Sequence, residues 1–347
     1  MLAALYLVIF LAFDLAYSQW VLPPVAADAR RPHAIEHPVH HHDLAPLVVD
    51  SPDRWGPLDF RVTTNSLGFR DSEPREVPLR SDRRRILLLG DSFTFGVGYG
   101  YRHTFAHRFG EWMRGRGVEV LNAAVVSYSP VIHVRKLEHL LVDVGLEVDE
   151  VIVFLDVSDT KNDALDYQVD ERGRVVFADD RRLSRVLARR LPLSSGLAAW
   201  AGRVIGTSHT DAEGWSTRGS AAGMWTIDDA LYEAWGRRGQ ETMARNMDAL
   251  RAIASERGIG LSVAVYPWPD QILHGDLDSR QVRFWRAWCG ERDVRFLDFF
   301  PDFVSASEAE NRAVVERYFI PDDIHYNAAG NRYFAERLIE RFEREND

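Results

Sequence analysis

The chain has 347 residues, 46% of them hydrophobic and 27% charged, which suits one large α/β domain with additions. A net charge of -10 argues against a nucleic-acid partner, which needs a basic stripe. The single cysteine, Cys289, excludes an internal disulfide and any all-cysteine metal site.

Residues Met1 to Leu22 are apolar apart from Asp14, Ser18 and Gln19, with Tyr17 and Trp20 near the end. This predicts a membrane-anchoring helix over 1–22, with the membrane as a partner. Asp14 is costly at mid-membrane and keeps a cleaved signal open as an alternative. Arg30 and Arg31 after the run favour a cytoplasmic body by the positive-inside rule, so topology stays open. Residues 23–80 read as a linker and N-terminal extension. Up to Pro57 they are rich in Pro, His and Ala without periodicity, and His37, His40, His41 and His42 are expected to be solvated rather than metal ligands. Thr63 to Asp71 reads as a structured turn leading toward a sheet.

From 81 onward the pattern is α/β. The run Ile86–Leu89 has no polar alternation, as expected of a strand buried on both faces in a parallel sheet. It stops at Gly90-Asp91-Ser92, residues that suit a tight turn and can cap a helix starting near Thr104. A helix is predicted from His103 to Arg114, and a strand over Val118–Leu121. A second helix follows from Val131 to Val144, then a buried strand over Val151–Leu155. A long helix spans Asp229 to Arg257, strands Leu261–Tyr266 and Val294–Phe299 follow, and a last helix runs from Ala328 to Phe342. Strands alternating with helices imply a doubly wound parallel sheet. Residues 168–225 interrupt the alternation and read as a cap-like insertion, strand-like at Arg174–Phe177 and Arg-rich between 181 and 203.

Ligands of such sheets bind beyond the carboxyl ends of the strands, which puts Ser92 where chemistry is done. A serine needs a base, and the base needs orienting. His325 stands in Pro321-Asp322-Asp323-Ile324-His325-Tyr326, with acids two and three residues before it. Tyr128, Tyr266, Trp268 and Tyr326 read equally as sugar-stacking aromatics of the crevice or as packing. No His pair stands at helical ligand spacing with a carboxylate, so neither metal nor cofactor is expected.

Gly90-Asp91-Ser92-Phe93-Thr94 together with Asp322-Asp323-Ile324-His325 resembles the SGNH (GDSL) hydrolase superfamily. Thr64 to Asp71, Asn122-Ala123-Ala124, Asp156 to Asp159 and Val265 to Pro269 resemble its membrane-anchored bacterial subgroup, whose members accompany cell-surface polysaccharide or lipid metabolism. The resemblance implies a three-layer α/β/α sandwich with a five-stranded, flavodoxin-like parallel sheet over 81–347, and an extracytoplasmic catalytic domain. It makes Ser92 the nucleophile and His325 the base. The orienting acid is Asp322 by the common family pattern. It is Asp323 by the pattern of alginate-type O-acetylation enzymes, and the likeness of Pro321-Asp322-Asp323 to Pro-Gly-Asp in closer relatives favours this second position. The oxyanion donors fall on Ser92, Ser127 and Ser158, the last two standing where the family has Gly and Asn. Asp91, Asp159 and Tyr326 are candidates for substrate contact. The implied activity is removal of an O-acyl, chiefly O-acetyl, group from a cell-envelope glycan or lipid. An O-acyltransferase using the same triad and a non-catalytic glycan-binding protein are the alternatives.

Overall fold

The computed structural model describes residues 33–178 and 219–344. Five strands form one parallel sheet: β5 (Arg85–Leu89), β6 (Glu119–Asn122), β7 (Glu150–Leu155), β10 (Gly260–Val265) and β11 (Arg295–Asp298). Their spatial order is β6-β5-β7-β10-β11, the flavodoxin-like arrangement. Register follows the apolar runs, with Leu87 opposite Leu121 on one side and Val151 on the other. Leu87 to Leu89 and Val151 to Leu155 have no exposed surface, because helices cover both faces of the sheet. On one face Phe105–Arg114 packs against Ala328–Glu343, and Phe154 meets Phe105 and Phe334 there. On the other, Pro130–Glu138 packs against Arg237–Ser255. The fold is a three-layer α/β/α sandwich. Each strand and helix predicted from Ile86 onward is found to within a residue or two, while the helices Arg280–Arg292 and Glu308–Tyr318 are additional to the predicted ones.

Two helical readings change in detail. Asp91 does not cap the helix near Thr104. Its carboxylate accepts from the Phe93 N–H and starts a separate short helix, Ser92–Phe95, while Thr104 caps Phe105–Arg114 through His107 N–H. The predicted helices after Val131 and Asp229 both contain π-helical turns, at His139–Val144 and Tyr232–Gly236.

The linker expectation fails from residue 33 onward. Four short strands make two antiparallel hairpins: β1 (Ala34–His37) with β2 (His41–Leu44), and β3 (Ser51–Trp55) with β4 (Leu58–Val62). Gly56, at φ 53°, opens the two-residue turn between Trp55 and Leu58. Leu44, Trp55, Phe60 and Val62 join Phe95, Val97, Tyr128 and Ile320 in a second apolar cluster. The histidines are not solvated as a group. His37 and His40 stack at 3.5 Å, His40 meets the Asp43 carboxylate at 2.9 Å, and Lys136 donates to the same carboxylate. His42 Nε2–H donates to the Val126 carbonyl at 2.8 Å. Burial pushes both His40 and His42 down to about 4, so they act as neutral, packed rings.

The predicted 1–22 anchor lies outside the described residues, and no described helix is long and apolar enough to cross a membrane. Most of the predicted cap, including its Arg-rich stretch, also lies outside them. Its ends are described: β8 (Tyr167–Val169) and β9 (Val175–Phe177) form a hairpin, and Trp225 is buried with its indole donating to the Val157 carbonyl.

Candidate active site

The loops leaving β5, β7 and β10 meet at the carboxyl edge of the sheet, and the loop before the last helix joins them. Ser92 Oγ lies 2.8 Å from His325 Nε2, although the two residues are 233 positions apart. His325 Nδ1 lies 2.5 Å from Asp323 Oδ1. A carboxylate can only accept, so Nδ1 carries the proton and Nε2 faces the hydroxyl as an acceptor. The His325 backbone N–H donates to the same Oδ1 at 2.7 Å. Ser92 keeps 8% of its surface exposed and His325 2%, so the hydroxyl is reachable while the imidazole is sheltered.

The turn before His325 decides between the two acids. Asp323 N–H donates to the Ile320 carbonyl at 3.1 Å, closing a four-residue turn with Pro321 second and Asp322 third. Asp322 has φ 60°, as the third position of a type II turn demands. The positive φ points Asp322 toward solvent and leaves Asp323 fully buried beneath His325. Asp323 is therefore the acid whose carboxylate meets His325, and Asp322 occupies the place a glycine would fill without strain. Burial alone would raise the Asp323 carboxyl, but His325 and the hydrogen bonds it receives hold it below the ordinary value.

Behind Ser92 sits a buried group of three carboxyls. Asp91, Asp156 and Asp159 place oxygens within 4.8 Å of one another. Asp156 accepts from the Ser158 N–H at 2.5 Å, the Ser158 hydroxyl at 2.6 Å and the Trp268 indole at 3.0 Å. Asp91 accepts from the Phe93 N–H and from the Tyr266 hydroxyl at 3.2 Å. Burial, then the neighbouring charge of Asp156, pushes both Asp91 and Asp159 well above the usual carboxylate range. Burial and mutual proximity thus oppose the ionised forms of Asp91 and Asp159. It also matters to Ser92, whose Oγ is 3.3 Å from Asp91 Oδ2. With its ionised form opposed, Asp91 draws on the hydroxyl proton less than His325 does, whose Nε2 is also nearer.

These contacts correct several expected roles. Asp91, Asp159 and Tyr326 are buried in the support beneath the site, with at most 3% of their surface exposed, which leaves little for substrate contact. Tyr128, Tyr266, Trp268 and Tyr326 are all packed, so the stacking alternative lapses. Ser158 spends both its N–H and its hydroxyl on Asp156 rather than offering them to a developing oxyanion. Ser127 is exposed at φ 65°, third in the turn closed by Tyr128 N–H to the Val125 carbonyl. That is again a conformation glycine adopts freely, with the backbone N–H retained.

Two contributors carry no local signal in the sequence. Arg70 is buried and donates to the carbonyls of Phe95, Gly96 (2.8 Å) and Tyr99, clamping the end of the short helix that begins at Ser92. Burial lowers it to about 9. Its place in the Thr64 to Asp71 stretch marked it only as part of a motif. Trp55, at the tip of the β3–β4 hairpin, donates its indole N–H to Asp323 Oδ2 at 3.0 Å.

No family model and no curated protein match the sequence. Solved structures do. The chain is similar to the psychrotrophic esterase EstA from Pseudoalteromonas sp. at 13% identity and a TM-score of 0.43, over 76% of this chain and all of that one. It is similar to a member of the lipolytic protein G-D-S-L family from Veillonella parvula at 14% identity and a TM-score of 0.41, over 75% and 99%. With the acetyl xylan esterase AlAXEase it shares 14% identity and a TM-score of 0.42, over 74% and 98%.

Proposed function

We propose that the chain is a serine esterase of the SGNH (GDSL) type, with Ser92 as nucleophile, His325 as general base and then acid, and Asp323 as the orienting acid. The observation that carries this reading is the unbroken line of hydrogen bonds from Ser92 Oγ through His325 to Asp323. In such a line the imidazole takes the serine proton as Oγ attacks an ester carbonyl. It then returns the proton to the departing alkoxide, and water repeats the sequence on the acyl-enzyme. The Ser92 N–H and the backbone N–H at Ser127 are the candidate oxyanion donors, because neither depends on the replaced side chains. The substrate class comes from the resemblance: an O-acyl, chiefly O-acetyl, group on a cell-envelope glycan or lipid.

The test uses chromogenic phenyl esters of short acids with the full chain. Turnover is expected in the wild type and not in Ser92→Ala or His325→Ala, with a fluorophosphonate adduct at Ser92. Equal rates in wild type and Ser92→Ala would overturn the reading. Adding a sugar acceptor then separates water from an alcohol as the final acyl acceptor.

A further inference from the structure

We propose that Trp55 is a positioning residue of the triad, its indole N–H fixing the second oxygen of Asp323 so that the first stays aimed at His325. This rests on the esterase reading above. It makes the β3–β4 hairpin, 268 positions away in the chain, a working part of the site.

Asp323 has no exposed surface, so each of its oxygens must find donors within the protein. Oδ1 takes two donors from one residue, the backbone N–H and Nδ1–H of His325. Oδ2 takes the Trp55 indole at 3.0 Å. Both donors on Oδ1 move with His325, so they do not by themselves fix the carboxylate against the rest of the fold. The indole does, because it is anchored elsewhere. Trp55 is nearly buried and packs in the apolar cluster with Phe60, Val62 and Phe95. Its ring also stands edge-on to the imidazole, centroids 4.8 Å apart at 81°, and Phe93 approaches that imidazole at 4.6 Å. Base and acid are thus both braced by an element outside the sheet. Without the indole N–H, Oδ2 becomes a buried charged acceptor lacking its donor, and rotation of the carboxylate toward another donor would take Oδ1 off the line to Nδ1.

Two replacements in the full chain test this. Trp55→Phe keeps a ring and removes the donor. Benzothienylalanine at position 55 keeps the whole bicyclic shape and exchanges N–H for sulfur, which holds the test open should the smaller phenyl ring pack poorly there. With a short phenyl ester, kcat is expected to fall at least tenfold in both, with KM within twofold, since Trp55 acts through Asp323 and not on substrate. Adding either replacement to Asp323→Asn should cost nothing further, because the residue it acts through is already disabled. A wild-type kcat in the benzothienylalanine protein, or a loss that adds fully to that of Asp323→Asn, would overturn the inference while leaving the esterase reading intact. A wild type without Ser92-dependent turnover would overturn both.

Discussion

The two halves of this site differ in how they are held. On the base side, every side-chain polar atom of the Asp323–His325 pair meets a partner of opposite role, and the carboxylate is pinned from two separate elements. On the oxyanion side, Ser127 sits in a left-handed conformation and Ser158 is tied to a carboxylate. The proton-moving half needs strict direction, because a misplaced imidazole neither takes nor returns a proton. The anion-holding half needs only N–H groups, and a backbone supplies these whatever the side chain. Side-chain drift is tolerated where the backbone does the chemistry.

The sharpest way to break this comparison is to exchange the two acids for Asn, one at a time. Asp323→Asn should cost about four orders of magnitude in kcat, because an amide stabilises the wrong tautomer of His325. Asp322→Asn should stay within about threefold, since its side chain faces solvent and Asn tolerates positive φ. Esterase rates of the two variants check this, and a large loss at Asp322 would mean that the turn reorganises. Next in size is Ser158. A true oxyanion donor is worth about a hundredfold or more. The hydroxyl seen here serves Asp156 instead, so Ser158→Ala should change kcat by less than about threefold and lower stability by about 1 kcal/mol. A hundredfold loss of kcat without a stability change would place Ser158 in the oxyanion hole after all.

Much of the fold was legible because its strands are buried on both faces, which writes unbroken apolar runs such as Ile86–Leu89 and Val151–Leu155 into the chain. The pair Ser92 and His325 was legible from their settings, since strand-turn-nucleophile and a late acid-His turn are local patterns. The choice between Asp322 and Asp323 was not, because it depends on which residue of one turn takes positive φ. The hairpins were hidden by their own composition: strands of four or five residues containing His and Pro look like a linker until distant partners bury them. Trp55 and the Asp91–Asp156–Asp159 group were illegible for another reason. Each depends on segments far apart in sequence arriving at one point, and nothing local to residue 55 or 91 announces the neighbour. Asp91 and Asp159, expected at the substrate, turned out to be support for the same reason.

That carboxyl group predicts a stability effect of unusual sign. Asp159 Oδ1 is buried and has no hydrogen-bond partner among the described residues, while Oδ2 accepts from the Asp156 N–H. Because burial, then the neighbouring charge of Asp156, raises Asp159 above its unfolded value, its contribution is fully present at low pH. It is lost as pH rises through the folded-state value. Asp159→Asn removes the ionisation and keeps an acceptor for the Asp156 N–H. Its stability should match wild type near pH 4 and exceed it increasingly as pH rises toward 8, read from denaturant midpoints at each pH. A gap that closes rather than opens with rising pH would mean that Asp159 is not raised in the folded protein.

The smallest effect belongs to Ser127→Gly, and position 127 tests the oxyanion half directly. A non-glycine residue at φ 65° costs about 1–2 kcal/mol, and glycine returns about 0.5–1 kcal/mol of that through its freer unfolded chain. Ser127→Gly should therefore stabilise the protein by about 0.5 kcal/mol. The backbone N–H is untouched, so kcat should stay within about twofold of wild type. Ser127→Pro deletes that N–H and is expected to cost on the order of a hundredfold in kcat, if the N–H is the second donor. Because proline also cannot adopt positive φ, its rate is read beside its melting curve. Loss of rate in Ser127→Gly at unchanged or higher stability would mean that the serine hydroxyl, not the backbone, faces the reacting carbonyl.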